Sequence, residues 1–98
     1  MISIKVLSVL DYVTRSIIRA EDRRDEDFRT LRKGLAYSWS VVIAAYPEAG
    51  KPVFEELLNL DDPDILWIMN ENLTKNRLVR MDEEWVKEML KRIDRQIS

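Results

Sequence analysis

The densest group of chemically capable side chains is the run Asp61-Asp62-Pro63-Asp64. Carboxylates alone can hold Ca²⁺ or Mg²⁺, which take oxygen ligands. The run lacks the spacing of a calcium-binding loop, and Pro63 stands where a helix takes a proline at its first position. The reading preferred is a helix start. Asp62 accepts backbone N–H groups as the N-cap, and Asp64 faces the positive end of the helix dipole. Asp82, followed by Glu83 and Glu84, repeats the arrangement. No metal and no cofactor is expected at either place.

Three tryptophans, Trp39, Trp67 and Trp85, offer flat faces for stacking bases or for a partner hot spot. Trp39 falls in an apolar helix and reads as core. Trp67 lies off the centre of its helix's apolar stripe, so it is a candidate interaction residue. The cations fall into three groups: Arg15, Arg19, Arg23 and Arg24; Arg29, Arg32 and Lys33; and Lys87, Lys91 and Arg95. The third is spaced i, i+4, i+8 along one helix face and is the candidate phosphate contact. Glu84 and Glu88 interleave with it, however, and an ordinary surface of ion pairs is the simpler reading. Asn72 falls on an inner helix face. Buried there, it needs hydrogen-bond partners, which the neighbouring inter-helix loop is expected to supply. Arg77 completes the candidate structural polar set with Asp62, Asp64 and Asn72.

The chain contains neither Cys nor His, which excludes disulfides, thiol nucleophiles, Cys/His zinc sites and Ser-His-Asp triads. No nucleophile elbow, P-loop or dinucleotide fingerprint is present, and no enzyme is expected. With 16 Lys+Arg against 18 Asp+Glu the net charge is −2, which argues against a general polyanion binder but not against a local basic patch. At 98 residues, one domain is the limit. Residues 1–18 are interrupted by Lys5, Asp11 and Arg15 and do not read as a signal peptide. The longest apolar run, Val41–Tyr46, is far short of the roughly 20 residues that span a bilayer. No membrane association and a cytoplasmic location are expected.

The elements that position these residues are helical. Val6, Leu10, Val13 and Ile17 make one stripe of a helix over about 4–20. A charged connection, Ala20–Asp27, follows. Phe28, Leu31, Leu35, Trp39, Val42 and Tyr46 then give the strongest helical period, ended by Pro47. Gly34 and Ser38 form a small-residue notch in it, suited to close approach by another helix. Gly50 and Pro52 frame a turn, and a short helix over about 51–60 carries Val53, Phe54, Leu57 and Leu58. The fourth helix, about 63–77, ends in Lys75-Asn76-Arg77, cations at the negative end of the dipole. Val86, Met89, Leu90, Ile93 and Ile97 form the apolar side of a last helix. Connections this short make sequential helices antiparallel neighbours.

Residues 27–60 and 61–98 share a layout of acidic start, long helix, turn and second helix. Phe28 and Ile65 correspond at an offset of 37, as do Leu31 and Ile68. A recurring helix pair of this length marks an α-solenoid. The stretch Phe28–Tyr46, the run Asp61–Asp64 and the segment WIMNENLTKNRL (Trp67–Leu78) resemble prokaryotic HEAT-repeat proteins. There, a DDPD cap opens the first helix of a pair and a WI..ENL.KNRL run fills it.

The resemblance implies an all-α, right-handed superhelix of about two to two-and-a-half repeats, with 1–26 as N-terminal helix and connection. It resembles the C-terminal repeats of a longer HEAT protein. It also implies a non-enzymatic scaffold or adaptor, binding a protein partner or a second copy. Its second helices, Lys51–Leu60 and Glu83–Ile97, would line the ligand face with Lys87, Lys91 and Arg95. Such repeats often carry an Arg two residues after the turn Asp. Leu66 stands there in this chain, leaving Arg77 or Arg29 as substitutes. Some alkylpurine DNA glycosylases are built on similar repeats, so DNA binding is the alternative. Two units are few for a solenoid, which points to a fragment of a longer array or to a homodimer.

Overall fold

Asp25 starts the longest helix by accepting the backbone N–H groups of Asp27 and Phe28 at 3.1 and 3.4 Å. The computed structural model describes residues 4–97. Among these the chain forms six α-helices and no strand: α1 (Ile4–Arg15), α2 (Glu26–Ala45), α3 (Pro47–Leu58), α4 (Pro63–Leu73), α5 (Asn76–Met81) and α6 (Glu83–Ile97). The shortest dimension, 20 Å, is about two helix diameters, so the molecule is two helices thick. The central α2 packs along α4 and also touches α1, α3 and α5, while α6 packs on α4 and α5. No helix among the described residues is long and apolar enough to cross a membrane.

Five local expectations change. α1 keeps Leu10, Val13 and the following Ile17 of its expected stripe against the core but is rotated about them: Leu7 and Thr14 are buried, whereas Val6 and Val9 are exposed. The cause is a polar contact. Thr14 Oγ1 accepts the Trp39 indole N–H at 3.0 Å and donates to the Leu10 carbonyl at 2.7 Å. Satisfying the buried indole draws Thr14 inward and turns Val6 and Val9 out. α1 also stops at Arg15 and tightens into a 3₁₀ turn, Ser16–Arg19.

Next, Pro47 opens α3 instead of merely ending α2, so only Tyr46 separates the two helices. Gly50 and Pro52 lie inside α3, not in a turn. The close helix approach also belongs to Gly50 and not to the Gly34–Ser38 notch. A Cβ on Gly50 would stand 3.0 Å from Ile43 Cγ1 and 3.2 Å from its Cα, whereas nothing lies within 4 Å of one on Gly34. Ser38 instead donates to the Gly34 carbonyl at 2.8 Å.

Finally, α4 ends at Leu73, four residues earlier than its period suggests. The N–H groups of Thr74 and Lys75 bond back three residues, to Glu71 and Asn72. This tightens the last turn, and Lys75 is extended. The separate α5 then carries Leu78 into the core with no exposure. Trp39, Ile43, Phe54, Leu57, Leu58, Ile65, Ile68, Met69 and Leu73 complete the solvent-free centre.

Candidate functional site

The run Asp61-Asp62-Pro63-Asp64 is the hub of the largest polar network. Asp61 has φ 52°, the left-handed region, which turns the chain from α3 into α4. Asp62 Oδ1 then accepts the N–H groups of Asp64 and Ile65 at 2.9 and 3.2 Å. The Arg23 guanidinium, delivered by the connection before α2, grips both oxygens of Asp62 at 2.9 and 2.8 Å. It also reaches Asp64 Oδ2 at 2.8 Å and the Ile17 carbonyl at 2.9 Å. The other oxygen of Asp64 accepts from Arg32 Nε at 2.8 Å. The Arg32 guanidinium in turn lies 3.6 Å from the centre of the Trp67 ring. Asp62 is only 9% exposed. Burial works to raise its pKa, but Arg23 and the N–H groups of Ile65 and Asp64 together hold the carboxyl below its usual 3.8.

Asp62, Asp64 and Trp67 therefore belong to one assembly, held by Arg23 and Arg32. The cations that hold these carboxylates are Arg23 and Arg32, while Arg77 bonds elsewhere, to Tyr37. Among the described residues no group of three or more acidic side chains is placed to hold a metal ion. The oxygens of Asp62 and Asp64 are engaged by guanidinium and backbone donors. Trp67 is not an open platform, because Arg32 covers one face of its ring.

Asn72 is fully buried between α4 and α2. Its Oδ1 accepts the Ser40 N–H at 2.8 Å, and its Nδ2 donates to the carbonyls of Leu35 and Ile68 at 2.9 and 2.8 Å. The partners are mid-helix backbone groups, not the loop that was expected to supply them. Arg77 donates to the Tyr37 hydroxyl at 3.0 Å and lies 4.7 Å from the centre of that ring.

A second joint links α3 to α6. Asp82 Oδ1 caps α6 through the Trp85 N–H at 3.1 Å, and its Oδ2 accepts from Lys51 at 2.6 Å. The Lys51 ammonium, then the Trp85 N–H, hold the Asp82 carboxyl below its usual value. Trp85 packs edge-on to Phe54 at 5.0 Å and donates its indole N–H to Glu55 at 3.2 Å. Arg92 donates to the Glu55 carbonyl at 3.0 Å. The Lys51 end of α3 thus faces α6 rather than open space.

On α6, Lys87 pairs with Glu83 at 3.0 Å, which raises its pKa above the usual 10.5. Lys91 borders a shallow recess of about 370 Å³ with Asn70, Leu90, Ile93, Asp94 and Ile97. Arg95 lies one turn further on.

Three other recesses are lined chiefly by cations. Arg24, Arg29, Lys33, Thr30 and Glu26 surround one of about 350 Å³. The adjoining one, about 380 Å³, shares Arg24 and Arg29 and adds Arg23, Arg32 and Asp64. The third, about 450 Å³, is lined by Thr74, Lys75, Asn76, Arg77 and Arg80, with no carboxylate. The spacing Arg29, Lys33, Tyr37 places all three on one line of α2, a signal the sequence contains. Lys75 and Arg80 join that line only because the chain breaks after α4, which periodicity does not show.

Compared with known proteins, the chain matches no family model, no curated protein and no solved structure.

Proposed function

We propose that this chain is a non-enzymatic interaction module of the HEAT-like helical-repeat type, binding a protein partner or a second copy of itself through a helical surface. The observation that carries this reading is the register of its two halves. Shifted by 37 residues, α2 (Glu26–Ala45) falls on 63–82, which α4 and α5 occupy except at 74, 75 and 82. The same shift carries α3 (Pro47–Leu58) onto 84–95, within α6, and the cap Asp25 onto the cap Asp62. First helix packs on first helix, α2 on α4, and second helix meets second helix through Phe54 and Trp85. Units that bury their apolar faces on each other in this way are the building principle of solenoids.

A protein as ligand is favoured by the outward side of α1, where Val6, Val9 and Tyr12 are exposed; clustered apolar exposure is a feature of protein-binding surfaces. The DNA-binding alternative gains no support from α6, where Lys87 is held by Glu83.

The test is solution mass by light scattering over a wide concentration range, with melting followed in parallel. A dimer whose melting temperature rises with concentration supports self-association. Loss of that dimer on Tyr12→Asp would place the contact on α1. A monomer of constant melting temperature that also crosslinks to no protein in cells would overturn the reading.

A further inference from the structure

We infer that the outer side of α2, continued by α5, binds the phosphodiester backbone of a single-stranded nucleic acid. The inference goes beyond the interaction module proposed above and uses a different face from α1.

Its basis is a line of cations left without partners. The side chains of Arg24, Arg29, Lys33, Lys75 and Arg80 make no ion pair or hydrogen bond with any described residue. That contrasts with Arg23, Arg32, Lys51 and Lys87, which are all engaged by carboxylates. In a chain with more acidic than basic residues, unpaired cations gathered on one side are not explained by composition. They line two recesses, the first ending at Lys33, one helical turn before Tyr37, and the second including Arg77, which lies against Tyr37. Arg24, Arg29 and Lys33 border the first, with Glu26 the one carboxylate lining it. Lys75, Arg77 and Arg80 border the second.

Tyr37 joins the two. It stands one helical turn beyond Lys33, is half exposed, and holds Arg77 of α5 against its ring. From Arg29 to Tyr37 the line runs about 12 Å along the helix. Between the cations the surface is low. Gly34 has open space where a Cβ would stand, and Thr30 is exposed beside it. A mid-helix glycine that makes no close contact inside the protein leaves room for a ligand backbone to approach. A row of unpaired cations interrupted by a half-exposed aromatic ring, one face of which Arg77 covers, is an arrangement that tracks a phosphate backbone and offers the ring's remaining exposed surface to an unpaired base. A single anion would need only one recess. A duplex keeps its bases stacked inside and would leave Tyr37 without a role.

The test uses the full chain and a labelled oligo(dT) of about 12 nucleotides, with binding read by fluorescence anisotropy. Binding is expected at low salt, weakening with added salt at a log–log slope of about −3 if some four phosphates are contacted. Arg29→Gln with Lys33→Gln should weaken it about tenfold, as should Lys75→Gln with Arg80→Gln, by removing two such contacts each. Arg29, Lys33 and Arg80 are exposed, Lys75 is half-buried and none of the four has a side-chain partner among the described residues, so unchanged melting curves would verify that the variants fold. Lys87→Gln with Lys91→Gln should leave binding unchanged.

Absence of binding at the lowest salt would overturn the inference, as would insensitivity to both α2 and α5 variants. Equal or tighter binding of a duplex of the same length would also overturn it. So would equally effective competition by polyglutamate at matched charge, which would assign the strip to an acidic peptide. None of these results depends on the oligomeric state or on Tyr12, so this inference and the protein-binding reading can fail separately.

Discussion

Asp25 and Asp62 open the first helices of the two halves with the same four-residue pattern, Asp-x-Asp-apolar, at Asp25–Phe28 and Asp62–Ile65. Each carboxylate accepts the N–H groups two and three residues on. What surrounds them differs. Asp25 is exposed, while Asp62 is nearly buried and held through both oxygens by Arg23. The capping bond is local and needs only four residues of sequence. The clamp is tertiary: the end of α4 butts against the connection that precedes α2, and that connection carries Arg23. The comparison separates what a cap contributes alone from what it contributes when a distant cation completes it.

The strongest way to break the comparison is to remove both carboxylates in turn. Asp25→Ala should cost about 1 kcal/mol, the ordinary value of an exposed cap. Asp62→Ala loses the cap and also leaves Arg23 short of its main partner, so it should cost about 3 kcal/mol. Urea denaturation of the two variants measures the difference. Equal losses would mean that the Arg23 clamp adds nothing beyond the cap.

This comparison also shows which parts of the molecule the sequence makes legible. The all-helical class, the caps Asp62 and Asp82, the proline at the start of α4 and the core role of Trp39 follow from local pattern, whereas Asp25 reads in the sequence only as part of a charged connection. Asn72 is legible as a buried group needing partners, because its helix face is apolar. Its actual partners, the backbone of Leu35 and Ser40, depend on how closely α4 lies along α2. The rotation of α1 depends on a bond between Thr14 and Trp39, 25 residues apart, and no hydropathy period encodes it. The tight α2–α3 crossing at Gly50 was missed for a related reason. Two prolines around a glycine look like a turn until the packing of Phe54, Leu57 and Leu58 holds the segment as a helix. The α2–α5 strip was half visible: the cations of α2 were grouped by sequence, but those of α5 join them only through a helix break.

A smaller effect sharpens the comparison through pH. The Asp62 carboxyl titrates below its unfolded value, so the stability it contributes is complete above the ordinary carboxylate pKa. That stability is lost as pH falls through the lowered value. Asp62→Asn keeps a good cap but removes the charge. The variant should therefore be less stable than the parent at neutral pH, and the gap should close below about pH 4. Asp82→Asn should behave in the same sense with a smaller gap, since Asp82 is more exposed and held by a single lysine. Denaturation midpoints at neutral and acid pH decide the matter. A gap for Asp62→Asn that stays constant across this range would show that the pairing with Arg23 does not stabilise the fold.

The smallest expected effect concerns how Asp62 is brought into place. Asp61 occupies the left-handed region, which costs a non-glycine residue roughly 1 kcal/mol and which asparagine, aspartate and glycine tolerate best. No such residue precedes Asp25, since Asp61 is the only non-glycine residue with positive φ among those described. If the strain is only the means of delivering Asp62 to Arg23, Asp61→Gly should leave the clamp intact and change stability by a few tenths of a kcal/mol, in the stabilising direction. The gain is limited because glycine also loosens the unfolded chain. Asp61→Val, which is β-branched and resists this backbone, should lose stability and weaken the Arg23 contact with it. A loss of stability on Asp61→Gly comparable to that of Asp62→Ala would instead assign the Asp61 side chain its own part in the network.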